Sequence, residues 1–95
     1  MKLIPPRGSF PGDASPEEME AMGRHADYIR KLIRSGKILA AGPVMEAGGS
    51  WGLALADVAD AGEAVRLGQG DPVVQAGLGF RWDVHPMPSL LLPER

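Results

Sequence analysis

One segment, Ser15 to Gly36, carries both the start and the stop of a long helix, and it constrains how the rest of the chain can fold. Ser15 reads as an N-cap, Pro16 suits the first helical position, and Glu18 falls three residues after the cap, which is the spacing of a capping box. Glu17, Glu18 and Glu20 lie near the positive end of the helix dipole and Arg30, Lys31 and Arg34 near its negative end, with Gly36 as the C-terminal stop. Met19, Met22, Ala26, Ile29 and Ile33 recur at spacings of three and four, so the helix is expected to bury this apolar stripe against a second layer. The chain has 95 residues with 13 glycines and 9 prolines, which interrupt elements, so that layer must be built from short pieces.

The pieces read as follows. Met1 to Ile4 predicts a strand that Pro5 and Pro6 terminate, short or at a sheet edge, and Arg7 to Ala14 is a loop with turn chemistry at Gly8, Pro11, Gly12 and Asp13. Ile38 to Met45, broken by Gly42 and Pro43, and Trp51 to Val58 predict the two arms of a hairpin. Ala61 to Leu67 predicts a second, shorter helix capped by Asp60, with Ala64 and Val65 buried. After the turn Gly68 to Pro72, Val73 to Ala76 fits one helical turn. Leu78 to His85 alternates Leu78, Phe80, Trp82 and Val84 with polar or small residues, the pattern of a half-buried strand. Pro86, Pro88 and Pro93 exclude further regular structure, and Leu90, Leu91 and Leu92 are expected to dock on the body or on a partner subunit.

The order β-α-β-β-α-β predicts an α+β domain over residues 1–95, with a Pro/Leu-rich tail from 86 to 95. Its architecture is ferredoxin-like, an antiparallel sheet with helices on one face. The other sheet face would be apolar and uncovered, which points to a homodimer through that face. No internal repeat is present.

Charge and composition narrow the function classes. Lys and Arg number 10 against 12 Asp and Glu, a formal charge of -2 without like-charge blocks, which disfavours a nucleic-acid partner. No apolar run approaches the roughly 18 residues of a membrane span, and the first residues do not read as a secretory signal, so no membrane association and a cytoplasmic location are expected. The absence of cysteine removes disulfides, thiolate nucleophiles and Cys-based metal sites. No Gly-x-Ser-x-Gly elbow and no phosphate-binding glycine loop occurs, and the histidines are too few and too scattered to suggest a metal centre. No cofactor is therefore expected.

Two residues remain as carriers of chemistry. His25 borders the apolar stripe of the long helix and reads either as a histidine satisfied at the core edge or as a general acid/base. Asp71, before Pro72, reads either as a helix cap or as a carboxylate that orients a histidine ring. His85, beside Pro86, reads as a surface residue, and Trp51, Phe80 and Trp82 as lining of the core or of a subunit interface.

The run Lys2 to Arg7 with Phe10, then Ser15 to Met19, Met22, His25 and Tyr28 resembles the YciI-like (YCII-related) proteins. So do Gly36-Lys37, Gly42-Pro43-Val44, Gly48-Gly49, Gly52, Glu63-Ala64, Asp71-Pro72, Ala76-Gly77 and His85-Pro86, in that order and spacing. The resemblance covers roughly residues 2 to 88. It implies a dimeric α+β barrel in which two ferredoxin-like sheets pack face to face, and an active site with a histidine and an aspartate, which fall on His25 and Asp71. Arg7, Gly42 and Pro43 are taken as substrate-binding positions, and it stays open whether Arg7, Arg24 or Arg81 supplies a positive charge for an acidic ligand. Members of the family ordinarily have more strand residues before the segment matching Lys2 to Arg7, so the first strand is expected to be short here. Some relatives in the wider dimeric barrel group act on lactones or small aromatic degradation products, including a dehalogenase of chlorinated muconolactones. The resulting expectation is a small acid/base enzyme, lyase-, isomerase- or dehalogenase-like. Its alternative is a non-catalytic small-ligand-binding or structural dimerisation module.

Overall fold

The helix start at Ser15 forms as a closed capping box. The Ser15 hydroxyl accepts the Glu18 N–H at 3.1 Å, and a Glu18 carboxylate oxygen accepts the Ser15 N–H at 2.8 Å. At the other end Gly36 takes φ +80°, its N–H meets the Ile33 carbonyl and the Lys37 N–H meets that of Leu32, which is a Schellman stop. In this computed structural model, which describes residues 1–93, the resulting α1 spans Pro16–Arg34. The other elements are β1 (Lys2–Ile4), β2 (Ile38–Glu46), β3 (Gly49–Ala56), α2 (Ala61–Gln69), a single turn α3 (Pro72–Gln75) and β4 (Arg81–Asp83). No helix among the described residues is long and apolar enough to cross a membrane.

All strand pairs are antiparallel and the sheet order is β2-β3-β1-β4, the ferredoxin-like arrangement. β1 is as short as Pro5 and Pro6 require, but it lies in the interior of the sheet and not at its edge, paired to β3 and β4. Leu3 faces Gly52 on one side and Trp82 on the other, so these three share the face that carries the helices. Leu3, Phe10, Ala21, Val73 and Phe80 form one buried cluster, with Phe10 and Phe80 edge to face at 5.1 Å, and Ile29, Ile38 and Ala54 form a second. Trp82 packs against both.

Several local expectations are corrected. Gly42 and Pro43 do not break β2, because β2 is an edge strand whose outer side requires no ladder donor. β4 covers only Arg81–Asp83 and not Leu78 to His85, because Gly77 and Gly79 turn the chain at φ +69° and +94° just before it. The alternation nonetheless identifies inward-facing residues: Phe80 is buried and Trp82 packs on the core. In α2 the buried positions are Ala64 and Gly68, whereas Val65 is exposed. In the tail, Leu91 and Leu92 lie exposed and only Leu90 lines a groove on the body. The last two tail residues, 94 and 95, lie outside the described residues.

The β2–β3 turn is braced by the loop after β1. Gly49 has φ +131°, and a Cβ there would lie 2.8 Å from the Gly8 carbonyl oxygen. Gly49→Ala is expected to destabilise the protein by about 1–3 kcal/mol, since it adds a left-handed backbone penalty to a collision with backbone. A thermal melt unchanged from wild type would refute this.

Candidate active site

The apolar stripe of α1 does not pack solidly. Met19, Met22, Ala26, Ile29 and Ile33 all line a cavity of about 680 Å³ between α1 and the sheet, and only Ile29 among them is buried. Met19 and Ile33 are 53% and 40% exposed. The helix is held to the body by Ala21, Ile29 and the residues around them. Spacing reports which residues share a helix face, but not whether that face meets side chains or an opening. Gly42 and Pro43 of β2, Gly52 of β3, and Phe80 and Trp82 form part of the opposing wall. The volume is that of a small-molecule site. The lining is mostly apolar, and among the described residues its only side chains able to carry charge are His25 and Arg30.

Asp71 is aimed at this cavity from behind. Gly70 ends α2 and Asp71 is the N-cap of α3, with one carboxylate oxygen, Oδ1, accepting the Val73 N–H at 3.0 Å. The other oxygen, Oδ2, accepts from His25 Nδ1 at 2.6 Å and from Trp82 Nε1 at 3.0 Å. Both readings of this residue therefore hold at once, because a carboxylate has two oxygens and the turn points them in different directions. Tyr28, one turn beyond His25, ties the two helices: its hydroxyl donates to the Leu67 carbonyl at 2.6 Å and lies where a Cβ on Gly70 would be, 2.7 Å away. Burial, and then the nearby Asp71 charge, push the Tyr28 hydroxyl above its ordinary range, which keeps it a donor.

The Asp71 side chain is fully buried and that of His25 is 15% exposed. Two fixed donors, the Val73 N–H and the Trp82 indole N–H, converge on the carboxylate, so it is an acceptor and its 2.6 Å contact with Nδ1 assigns the imidazole hydrogen to Nδ1. Nε2 then carries the lone pair. Among the described residues no buried side-chain nitrogen or oxygen lacks a hydrogen-bond partner, and Nε2 has none within the protein, so it opens onto accessible space. His25 is also one of the residues that line the cavity.

The YCII-related domain matches residues 8–88 of the chain. This protein belongs to the YCII-related family. No curated protein and no solved structure matches it. The matched span contains His25, Asp71, Gly42 and Pro43 and begins after β1, the strand that the family resemblance marks as short.

Arg7 stands apart from the cavity of this YCII-related protein. Its guanidinium holds both Glu18 oxygens at 2.7 Å and an Asp13 oxygen at 2.9 Å, so its donors are committed to braces between the loop and α1. Arg24 and Arg81 are also outside the lining; Arg30, which sequence reasoning passed over as a helix-end charge, is the arginine that lines it, and its guanidinium donates to Asp27 at 3.0 Å. Trp82 was likewise read only as a core or interface residue. The signal available was its place on the inward face of a strand, where an indole N–H needs a partner. Among the described residues no cluster of three or more His, Asp or Glu side chains is arranged to hold a metal ion.

The Arg7 brace gives a pH prediction. Hydrogen bonds from Arg7, and then from the Ser15 N–H, hold the Glu18 carboxyl at about 2, below its ordinary 4.5, and the same guanidinium lowers that of Asp13. A carboxyl whose pKa is lower in the folded state stabilises the fold above the unfolded value, and that contribution disappears as pH falls through the folded value. Urea midpoints of the wild type should therefore drop between about pH 4.5 and pH 2 by more than those of Glu18→Gln. Parallel curves for the two proteins would contradict the assignment.

Proposed function

We propose that this YCII-related protein is a small acid/base enzyme in which His25 Nε2 takes a proton from a small, largely apolar organic substrate and Asp71 orients the imidazole and steadies its positive charge. The observation that carries this reading is the fully buried Asp71 carboxylate on Nδ1, at 2.6 Å, of a histidine that lines a cavity of about 680 Å³ and keeps an accessible, unpartnered Nε2. In such a step Nε2 accepts a hydrogen from carbon or oxygen, the electron pair stays on the substrate, and the resulting imidazolium is paired with Asp71. Return of that proton to a different atom completes an isomerisation. Departure of a leaving group from the neighbouring carbon completes an elimination, as in lyase- or dehalogenase-like chemistry. Gly42 and Pro43 form substrate-contacting wall, and Arg30, which is paired with Asp27 at 3.0 Å, is the arginine at the cavity.

A homodimer through the open sheet face belongs to the same proposal. That face carries Ile4, Val44, Trp51, Leu53 and Leu55, with the Lys2 ammonium 4.6 Å above the Trp51 ring. The non-catalytic reading is favoured by one feature, an apolar lining in which His25 is the only group able to exchange protons near neutral pH.

Hydrogen exchange separates the two readings. Small carbonyl compounds that bind the protein are incubated in D2O, and loss of the α-proton signal is followed by NMR. Catalysed exchange that vanishes in His25→Gln supports the enzyme, while saturable binding with no exchange supports the binding module.

A further inference from the structure

We infer that Trp82 is a positioning residue of the His25–Asp71 pair, its indole N–H setting how strongly the carboxylate holds the imidazole; this rests on the acid/base reading of the site. Asp71 Oδ2 accepts from two groups at once, His25 Nδ1 at 2.6 Å and Trp82 Nε1 at 3.0 Å. A second donor on the same oxygen draws off part of its charge, which leaves a weaker partner for an imidazolium. Trp82 therefore moderates the very interaction that makes His25 a base.

The indole is placed for that purpose by the fold. Trp82 pairs with Leu3 across β1, which points it toward the helices, and both core clusters close on it. From the side of α2, Gly68 permits the approach: a Cβ there would lie 3.0 Å from Trp82 Cβ and Cδ1. The ring stands 6.0 Å from the His25 ring, tilted by 38°, and lines the same cavity. Besides Asp71, the N-cap of α3, the ionisable groups around His25 are Arg30 on the cavity wall with its partner Asp27, and Tyr28, whose hydroxyl is tied to Leu67. The described residues of β2 and β3 that line the cavity are uncharged, and β4 contributes only Trp82 to it.

The test is an NMR titration of the histidine rings in wild type and in Trp82→Phe, which keeps an aromatic ring and deletes the N–H. The titration midpoint of His25 is expected to move up while that of exposed His85 stays where it is. A second measurement uses wild-type protein containing 5-fluorotryptophan, whose more acidic N–H should move the His25 midpoint down without altering the chain. Trp51 is labelled too and also lines the cavity, but its indole N–H donates to Glu46 at 2.6 Å and not to the His25–Asp71 pair. A His25 midpoint that is the same in fluorinated and ordinary protein overturns the proposal, even if Trp82→Phe fails to fold. Shifted midpoints without catalysed proton exchange would leave the positioning role intact and remove the enzyme, whereas exchange with fixed midpoints would do the reverse.

Discussion

Asp71→Ala is expected to destabilise the protein by about 3–5 kcal/mol, the range for stripping one partner from a buried charged hydrogen-bond network. The Asp71 side chain is wholly buried and satisfies three N–H groups, on Val73, His25 and Trp82. The alanine variant loses the α3 cap, itself about 1 kcal/mol, and leaves two side-chain donors facing a small void. Asp71→Asn separates these roles. One oxygen can still cap Val73, but an NH2 group then confronts Nδ1–H and Nε1–H. His25 can escape by moving its hydrogen to Nε2 and accepting at Nδ1, whereas the Trp82 N–H has no such alternative. The cost is then about 1–3 kcal/mol, and Nε2 becomes a donor instead of an acceptor. Urea denaturation of the three proteins checks the order, and an alanine variant within about 1 kcal/mol of wild type would show that the network contributes little to stability.

His25→Gln should lower the rate of substrate proton exchange by about 10²–10⁴-fold, the ordinary contribution of a positioned acid or base. Glutamine retains a donor that can reach Asp71 but has no lone pair able to take a proton near neutral pH. Because the His25 side chain is 15% exposed and lies at a cavity wall, its replacement should shift stability far less than that of Asp71. Rates from wild type and variant on the same bound compound decide the matter. Equal rates would assign the exchange to solvent or to another group, and the cavity would then be a binding site only.

The start and stop of α1 were legible because capping is local: Ser15, Glu18 and Gly36 each act within a few residues of their own position. The succession of strands and helices was legible for the same reason, since each element carries its own periodicity and its own breakers, and that succession leads to the ferredoxin-like sheet order. Family resemblance added the pairing of His25 with Asp71. Local patterning erred where packing decided. Pro43 continues an edge strand, and Val65 is exposed on a helix expected to bury it.

The chain's own sequence determined the elements and their order, since those depend on neighbours along the backbone. Tertiary structure alone decided that the α1 stripe lines an opening, that Arg30 lines it while Arg7 is locked to Asp13 and Glu18, and that Trp82 meets Asp71. Those outcomes depend on distances between residues far apart in the chain, 46 positions in the case of His25 and Asp71, and such distances are set by how whole elements pack.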